Sequence, residues 1–537
     1  MLTPAADYDT LRRNFRLEIP ERFNIAQACC DRYADGSGRL ALVHLDDSGA
    51  ATNYSFDDMR ALSARFANVL KAEGLTRGDR VGVFLPQSVE LPVAHLAAFR
   101  SGLISIPLFA LFGEDALEFR LANSGAKAVV TDESGWPKIA QLLARLPNLR
   151  AVYVTARGRT PGAQSFWDAI EAASDDCPVA DTSAEDPAVI VYTSGTTGNP
   201  KGALHAHRVL LGHLPCCEMV HDFMPQPGDM VWTPADWAWV GGLFNSLLAS
   251  WYHGVPNVGR RLKKFEPEAA MRLMADHKVR NVFLPPTALK LMRQVGVTRH
   301  PGVNLRTILT GGETLGAEML GWVRETFGIE AHEVYGQTEN NLVVCNNARL
   351  FPIRPGSMGK ATPGFEVCII DEAGQELPRG SRGIIGVRQP TPSTMLEYWR
   401  NPEATAKKYA GEFLLTGDLG VQDVDGYFWY ASREDDVITT GGYRVGPSEI
   451  EETLMKHQAV AMAAVVGIPD PIRTESIKAW IVLRPGYEAS DALAREIQEH
   501  VKTRLAAHEY PRVVAFAESL PMTATGKVLR RELRDRG

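Results

Sequence analysis

The 537-residue sequence is short of several features, and each shortage excludes something. Its longest apolar stretch, around Leu103 to Phe112, falls well below the roughly 20 residues a membrane-spanning helix needs. Membrane insertion is therefore not expected. Cysteines number only seven (Cys29, Cys30, Cys177, Cys216, Cys217, Cys345 and Cys368), and no C-x-x-C spacing occurs among them. Two adjacent pairs are not metal-ligand spacing, so the thiols read as reduced and either packed or exposed. Positive charge is in deficit: 57 Lys and Arg against 64 Asp and Glu leave a formal net charge of −7. A nucleic-acid binder normally shows the opposite balance, although local basic pockets can still hold anions in an acidic protein. The first residues, Met1-Leu2-Thr3-Pro4-Ala5-Ala6-Asp7, lack a basic region followed by an apolar core, so no secretory signal is expected. No repeat or low-complexity tract is visible. These absences point to a cytoplasmic globular protein.

What is present is ordinary in bulk, with 45% apolar and 23% charged residues, and too long for one hydrophobic core. At least two domains are expected. Short apolar runs such as Val81-Gly82-Val83-Phe84-Leu85, Ala128-Val129-Val130 and Asn281-Val282-Phe283-Leu284 read as buried strands, alternating with amphipathic helical patterns. Ser55-Phe56-Asp57-Asp58 has the form of a capping box, and Met59, Leu62, Phe66, Val69 and Leu70 keep helical spacing until Gly74. Strands alternating with helices predict an α/β body with sheet faces covered by helices.

The texture changes near residue 433. Ser432-Arg433-Glu434-Asp435-Asp436 is a dense charge cluster, followed by Thr440-Gly441-Gly442-Tyr443. Beyond it the pattern predicts a small α+β unit. A helix runs through Ile450 and Leu454, strands follow near 460–466 and 479–483, and a further helix presents Leu493, Ile497, Val501 and Leu505.

The most chemical segment follows the apolar run Ala188-Val189-Ile190-Val191. It reads Tyr192-Thr193-Ser194-Gly195-Thr196-Thr197-Gly198-Asn199-Pro200-Lys201-Gly202. Glycines admit a ligand close to the backbone, hydroxyls donate, and a lysine adds a mobile cation, a combination suited to a polyphosphate. The G-x-x-x-x-G-K-[ST] spacing fails, so this is not a Walker A loop. Composition alone leaves an anion-binding loop and a flexible turn equally open.

The string resembles the phosphate loop of the adenylate-forming superfamily, which includes acyl-CoA synthetases, luciferases and the adenylation domains of peptide synthetases. Further motifs of that family follow in order. Gly311-Gly312-Glu313-Thr314 resembles the stretch bordering adenine and the acyl pocket. Tyr335-Gly336-Gln337-Thr338-Glu339 resembles the aromatic-Gly-x-Thr-Glu motif, Leu415-Thr416-Gly417-Asp418 the ribose motif, and Pro521-Met522-Thr523-Ala524-Thr525-Gly526-Lys527 the catalytic-lysine segment. Two positions depart from the family pattern, Ser432 for glycine and Met522 for a basic residue.

The resemblance implies a large N-terminal ATP- and acyl-binding domain over residues 1–433, with β-sheets flanked by helices. It also implies a hinge at 434–436 around Asp435, and a small mobile α+β domain over 437–537. The implied reaction is ATP-dependent acyl-CoA ligation through an acyl-adenylate, with ATP, Mg²⁺ and coenzyme A. The implied nucleotide contacts are Thr193, Ser194, Gly195, Thr197, Gly198, Lys201, Gly312, Glu313, Gly336 and Gln337, with Tyr335 on adenine, Thr338 on phosphate, Asp418 on ribose, and Arg433 on the same ribose or the phosphates. Thr196 and Lys527 are implied in catalysis, with Glu339 as the carboxylate for Mg²⁺. Gly441, Gly442, Tyr443 and Arg444 are implied along the pantetheine arm of CoA.

For the acid, the implied pocket residues are Trp239, Val240, Gly241, Gly311 and Gly336. In similar enzymes restricted to acetate, a threonine, a valine and a tryptophan stand where this chain has Gly241, Gly311 and Gly336. The three glycines predict a roomier pocket, for medium-chain or branched aliphatic acids with aryl acids second. The stretch Trp232–Gly242 contains no Arg or Lys, which disfavours a dicarboxylate. The chain stops at Gly537, ten residues after Lys527, so no carrier domain is expected in cis. A stand-alone adenylation enzyme loading a separate carrier, a luciferase-like oxygenase and a non-catalytic nucleotide sensor remain alternatives. An oligomer is compatible with the sequence.

Overall fold

The computed structural model describes the chain except residues 194–198, 313–314, 434–437, 507, 522–527, 529 and 537, and the side chains of 431–433, 444, 448–449, 452 and 531. By contact the chain divides into two compact units. The first comprises Met1–Ala110, Ser124–Val191 and Gly202–Ser432, and the second Leu111–Asn123, Tyr192–Lys201 and Arg433–Gly537.

The first unit is α/β. One of its sheets has at its centre the parallel strands Arg80–Phe84, Ile104–Pro107, Ala128–Thr131 and Ala151–Val154. The last three are buried at every residue, as their β-branched apolar runs require for strands covered on both faces. The helix Phe56–Ala72 begins at Ser55. Its hydroxyl accepts the Asp58 N–H at 3.1 Å, while Asp58 accepts the Ser55 N–H at 2.8 Å, completing the box. Phe56, Met59, Phe66 and Leu70 form the buried stripe of this helix.

A second, larger sheet matters most for the site. Asn257–Arg260, Val231–Trp232, Asn281–Phe283, Thr307–Gly311 and Ala331–Gln337 lie side by side and parallel. Their carboxyl ends, Arg260, Trp232, Phe283, Gly311 and Gln337, therefore open on one edge of the sheet. In open α/β sheets such an edge is where ligands bind. The sheet continues antiparallel through Asn341–Cys345 and Ser357–Ala361 to strands that include Phe413–Gln422.

The second unit contains the α+β pattern expected of the C-terminal region. Strands Val460–Asp470 and Thr474–Leu483 pair antiparallel, Val513–Phe516 joins in parallel, and helices Pro447–Met455 and Asp491–Arg504 accompany them. Ile497 and Val501 are fully buried, in line with the helical spacing of the sequence. All seven cysteines are free thiols, five of them buried.

Candidate active site

Strand Ala331–Gln337 and the residues after it place most of the chemistry. Tyr335 and Gln337 converge on one carboxylate oxygen of the strand Phe413–Gln422: the Tyr335 hydroxyl and Gln337 Nε2 each donate to Asp418 Oδ2 at 2.7 Å. Gln337 Nε2 also reaches the Thr416 carbonyl at 2.7 Å. The Thr416 hydroxyl anchors in turn on the Ile385 carbonyl at 2.7 Å and accepts the Asp418 N–H at 3.1 Å. Asp418 is 1% exposed.

Glu339, half-buried just past that strand, is held from another direction. Its Oε1 accepts the Tyr398 hydroxyl at 2.5 Å, and its carbonyl accepts the Met395 N–H at 2.8 Å. The short strand Glu397–Tyr398 pairs with Lys201–Ala206, matching Tyr398 to Ala203, which fixes the tyrosine's position. Ala203, Met395 and Tyr398 form a small apolar cluster beneath it. His205 on the same strand lies beside the Thr338 backbone and Glu339, and burial pushes its imidazole down to about 4. At neutral pH it is uncharged.

Sequence reasoning missed Tyr398, His205 and Glu333. For Tyr398 no local signal existed, because it stands 59 positions from Glu339. Glu333 did carry one: it is two residues before Tyr335 on a strand, the one acid of that strand. Its Oε1 accepts the Leu315 N–H at 2.9 Å, and among the described residues its buried Oε2 has no hydrogen-bond partner. Burial pushes this carboxyl up to about 7. It stands opposite Thr310, one residue before Gly311, in the parallel pairing.

The glycines proposed to widen the acyl pocket behave differently from the volume argument. A Cβ on Gly336 would lie 1.6 Å from the Asn341 carbonyl oxygen, so a side chain there meets backbone rather than a pocket. On Gly311 it would lie 2.6 Å from Val334 Cγ2 and 2.7 Å from the Val334 carbonyl. On Gly241 it would lie 2.7 Å from the Phe283 ring. Beside each glycine the space a Cβ would take is already occupied by an atom of the protein. Gly241 opens a π-helical segment, Gly241–Leu248, after Val240. Trp239 is half-buried, whereas Trp232 and Trp237 are fully buried core residues.

In the segment 192–202, Thr193 ends the strand Pro187–Thr193 and Lys201 begins the next. The Thr193 hydroxyl donates to the Lys201 carbonyl at 3.4 Å. Ser194, Gly195, Thr196, Thr197 and Gly198 lie outside the described residues, as do Glu313, Asp435 and Lys527 and the side chains of Arg433 and Arg444. Gly312 follows its strand with φ 98°. Gly441 and Gly442 form a two-residue hairpin loop between Ile438–Thr440 and Tyr443–Val445, with φ 58° and 80°. Positive φ at both central residues is the signature of the tight turn matching strand twist, which is reason enough for paired glycines. The Tyr443 ring stacks on His508 with centroids 3.7 Å apart.

Among known proteins, the AMP-binding enzyme family model matches residues 31–399, and that of the AMP-binding enzyme C-terminal domain matches residues 449–527. The mitochondrial acyl-coenzyme A synthetase ACSM3 of Mus musculus is 36% identical over 543 residues, covering 98% of this chain and 93% of that protein. The acetyl-coenzyme A synthetase of Bacillus subtilis (strain 168) is 37% identical over 525 residues, covering 96% and 90%. The crystal structure of the Brucella canis acyl-CoA synthetase superposes with a TM-score of 0.74 at 33% identity, covering 99% of each chain.

Proposed function

Because this chain belongs to the AMP-binding enzyme family, we propose that it joins a carboxylic acid to coenzyme A in two ATP-driven steps. First the acid's carboxylate oxygen attacks the α-phosphorus of ATP, the bond to the β-phosphate oxygen breaks, and pyrophosphate leaves. Then the CoA thiol attacks the acyl carbon, the bond to the AMP oxygen breaks, and the thiol proton passes to solvent. Acyl-CoA and AMP are the products.

Tyr335 and the Gly311–Gly312 turn flank the adenine, Asp418 and Arg433 take the ribose, and the loop from Thr193 to Lys201 with Thr338 takes the phosphates. Lys527 bridges the carboxylate and the α-phosphate, and the Gly441–Arg444 turn lies along the pantetheine arm once the C-terminal domain pivots at 434–436. Glu339, a hard oxygen donor already oriented by Tyr398, fits Mg²⁺. When bound, that ion neutralises charge on the phosphate oxygens. The observation that most supports this reading is the meeting of two motif residues 83 positions apart, Tyr335 and Asp418, at 2.7 Å.

The acid is an apolar monocarboxylate, medium-chain or branched, with aryl acids second. This rests on the missing cation in Trp232–Gly242 and on the half-buried apolar residues Trp239, Val240, Phe283 and Val334, and no longer on the glycines. A cytoplasmic location belongs to the proposal; the mouse relative is named as mitochondrial.

The test is AMP and pyrophosphate release with Mg-ATP over linear acids from acetate to dodecanoate, branched acids and aryl acids, with and without CoA. A CoA-dependent optimum at medium or branched acids is expected. Acid-dependent pyrophosphate exchange without CoA-dependent turnover would favour loading of a carrier protein, and no acid-dependent turnover would sink the enzyme reading.

A further inference from the structure

We propose that the cleft at the carboxyl end of strand Asn257–Arg260 is an anion site for the phosphate group of a small molecule. It is separate from the nucleotide residues, and the inference does not depend on the ligase reading.

The cleft has a volume of about 220 Å³ and is lined by Arg260, Arg261, Lys263 and Lys264, by Trp232 on the neighbouring strand, and by the start of the helix Pro267–Asp276. Pockets that enclose a drug-sized ligand run to roughly 300–1,000 Å³, so this one suits a small anion or one end of a longer molecule. Four cations within five consecutive residues repel one another, and the structure pairs only two of them. Arg261 Nη1 meets Asp132 Oδ2 at 3.1 Å, and Lys263 Nζ meets Asp47 Oδ2 at 2.9 Å. Arg260 and Lys264 have no acidic partner among the described residues. Besides Asp47, the only acid lining the cleft is Glu266, at the N-cap of the helix. Its side chain makes no capping hydrogen bond, so the positive end of a ten-residue helix adds to the field without a side-chain acceptor on its first turn. Trp232 contributes from a third stretch of chain. It is fully buried, and its Nε1–H has no hydrogen-bond partner among the described residues. A buried N–H without an acceptor is uncommon, and this one leaves the positive end of a dipole beneath the cations. Cations, helix terminus and indole N–H share one sign, which is the complement of a phosphate. The nucleotide residues lie elsewhere: Asn257–Arg260 is four strands from Ala331–Gln337 in the sheet, about 19 Å at about 4.8 Å per strand.

The test is calorimetric titration of the full chain with inorganic phosphate and, separately, with adenosine 3′,5′-bisphosphate. Wild type should show a binding event that the double variant Arg260→Gln/Lys264→Gln loses or weakens about tenfold or more, with KM for Mg-ATP within about twofold. Lys264→Gln alone serves if the double variant does not fold. The site itself is read by acetylation with acetic anhydride and mass spectrometry: the bound anion should protect Lys264 and leave the exposed Lys407 as reactive as before. Protection by inorganic phosphate assigns the site to the free anion; protection by the bisphosphate alone assigns it to a phosphate carried on a nucleotide. Folded variants that bind both probes as wild type does, or a Lys264 that neither probe protects, would overturn the site. A rise in KM for Mg-ATP in step with the loss would place these side chains at the nucleotide and overturn the separation. The binding and protection readouts need no turnover, so they stand even if the wild type forms no AMP with any acid and the ligase reading fails.

Discussion

The Tyr398 hydroxyl donates a 2.5 Å hydrogen bond to Oε1 of Glu339, and Tyr398 is itself 4% exposed. A buried donor on one oxygen fixes the rotation of the carboxylate and so the direction in which it can meet a cation. Tyr398→Phe keeps the packing and removes only the donor. Hydrogen bonds to charged groups are worth about 1.5–3 kcal/mol. The Mg²⁺ concentration for half-maximal AMP formation should rise about tenfold or more, and Mn²⁺ binding, read by electron paramagnetic resonance in the presence of ATP, should weaken in parallel. An unchanged metal dependence in a folded variant would remove the orienting role.

Asp418 accepts from both Tyr335 and Gln337 at one oxygen. Asp418→Asn can place an amide where two donors already point, or turn it and lose the charge. Either way the constellation loses a charge-assisted contact, again about 1.5–3 kcal/mol. KM for ATP should rise about tenfold or more, while KM for the acid changes little. Equal changes in both constants would show a general disturbance rather than nucleotide recognition.

Gly336→Ala directs a methyl group at the Asn341 carbonyl, 1.6 Å away in the present backbone. Overpacking of a tight site typically costs about 1–3 kcal/mol, and here the obstacle is backbone. A clear fall in melting temperature is expected, with the acid profile of the surviving enzyme unaltered. Gly336→Trp should fail to give stable protein rather than yield an acetate-preferring enzyme. A soluble tryptophan variant with a shifted acid profile would show that the neighbouring strand yields and that the position does face the acyl group.

Glu333 should leave a pH signature. Burial raises its carboxyl from the ordinary 4.5 to about 7, so the folded state holds a proton that the unfolded state releases. Below about 4.5 both states are protonated and the shift contributes nothing to the pH dependence. Between about 4.5 and 7 the unfolded state binds fewer protons, so stability falls as pH rises, by up to about 3 kcal/mol, and then levels. Glu333→Gln removes this slope. Its gain in melting temperature over wild type should be larger at pH 8 than at pH 5; equal differences at the two pH values would contradict the shift.

The two kinds of information separate along particular residues. The helix from Phe56, the strands at 128–131 and 281–283, and the C-terminal helix with Ile497 and Val501 were legible because periodicity and caps are local properties of the chain. The motif positions Tyr335, Glu339 and Asp418 are marked by their immediate neighbours, but that Tyr335 and Asp418 meet is not. The glycines show where local reading ends. Smallness at 241, 311 and 336 was visible, but not what fills the space beside it. That is set by Phe283, Val334 and Asn341, which arrive through strand order and register.

The sequence by itself determined the family, the α/β and α+β textures of its two parts, and which residue types stand ready for a nucleotide and an acid. Only the tertiary structure decided that Tyr398 orients Glu339, that Glu333 is buried with one oxygen unpartnered among the described residues, and that the Phe283 ring lies where a side chain on Gly241 would stand. The reason is physical. Propensity, capping and motif chemistry act over a few residues, whereas burial, close contact and the orientation of a carboxylate depend on partners that sheet pairing brings together from distant parts of the chain.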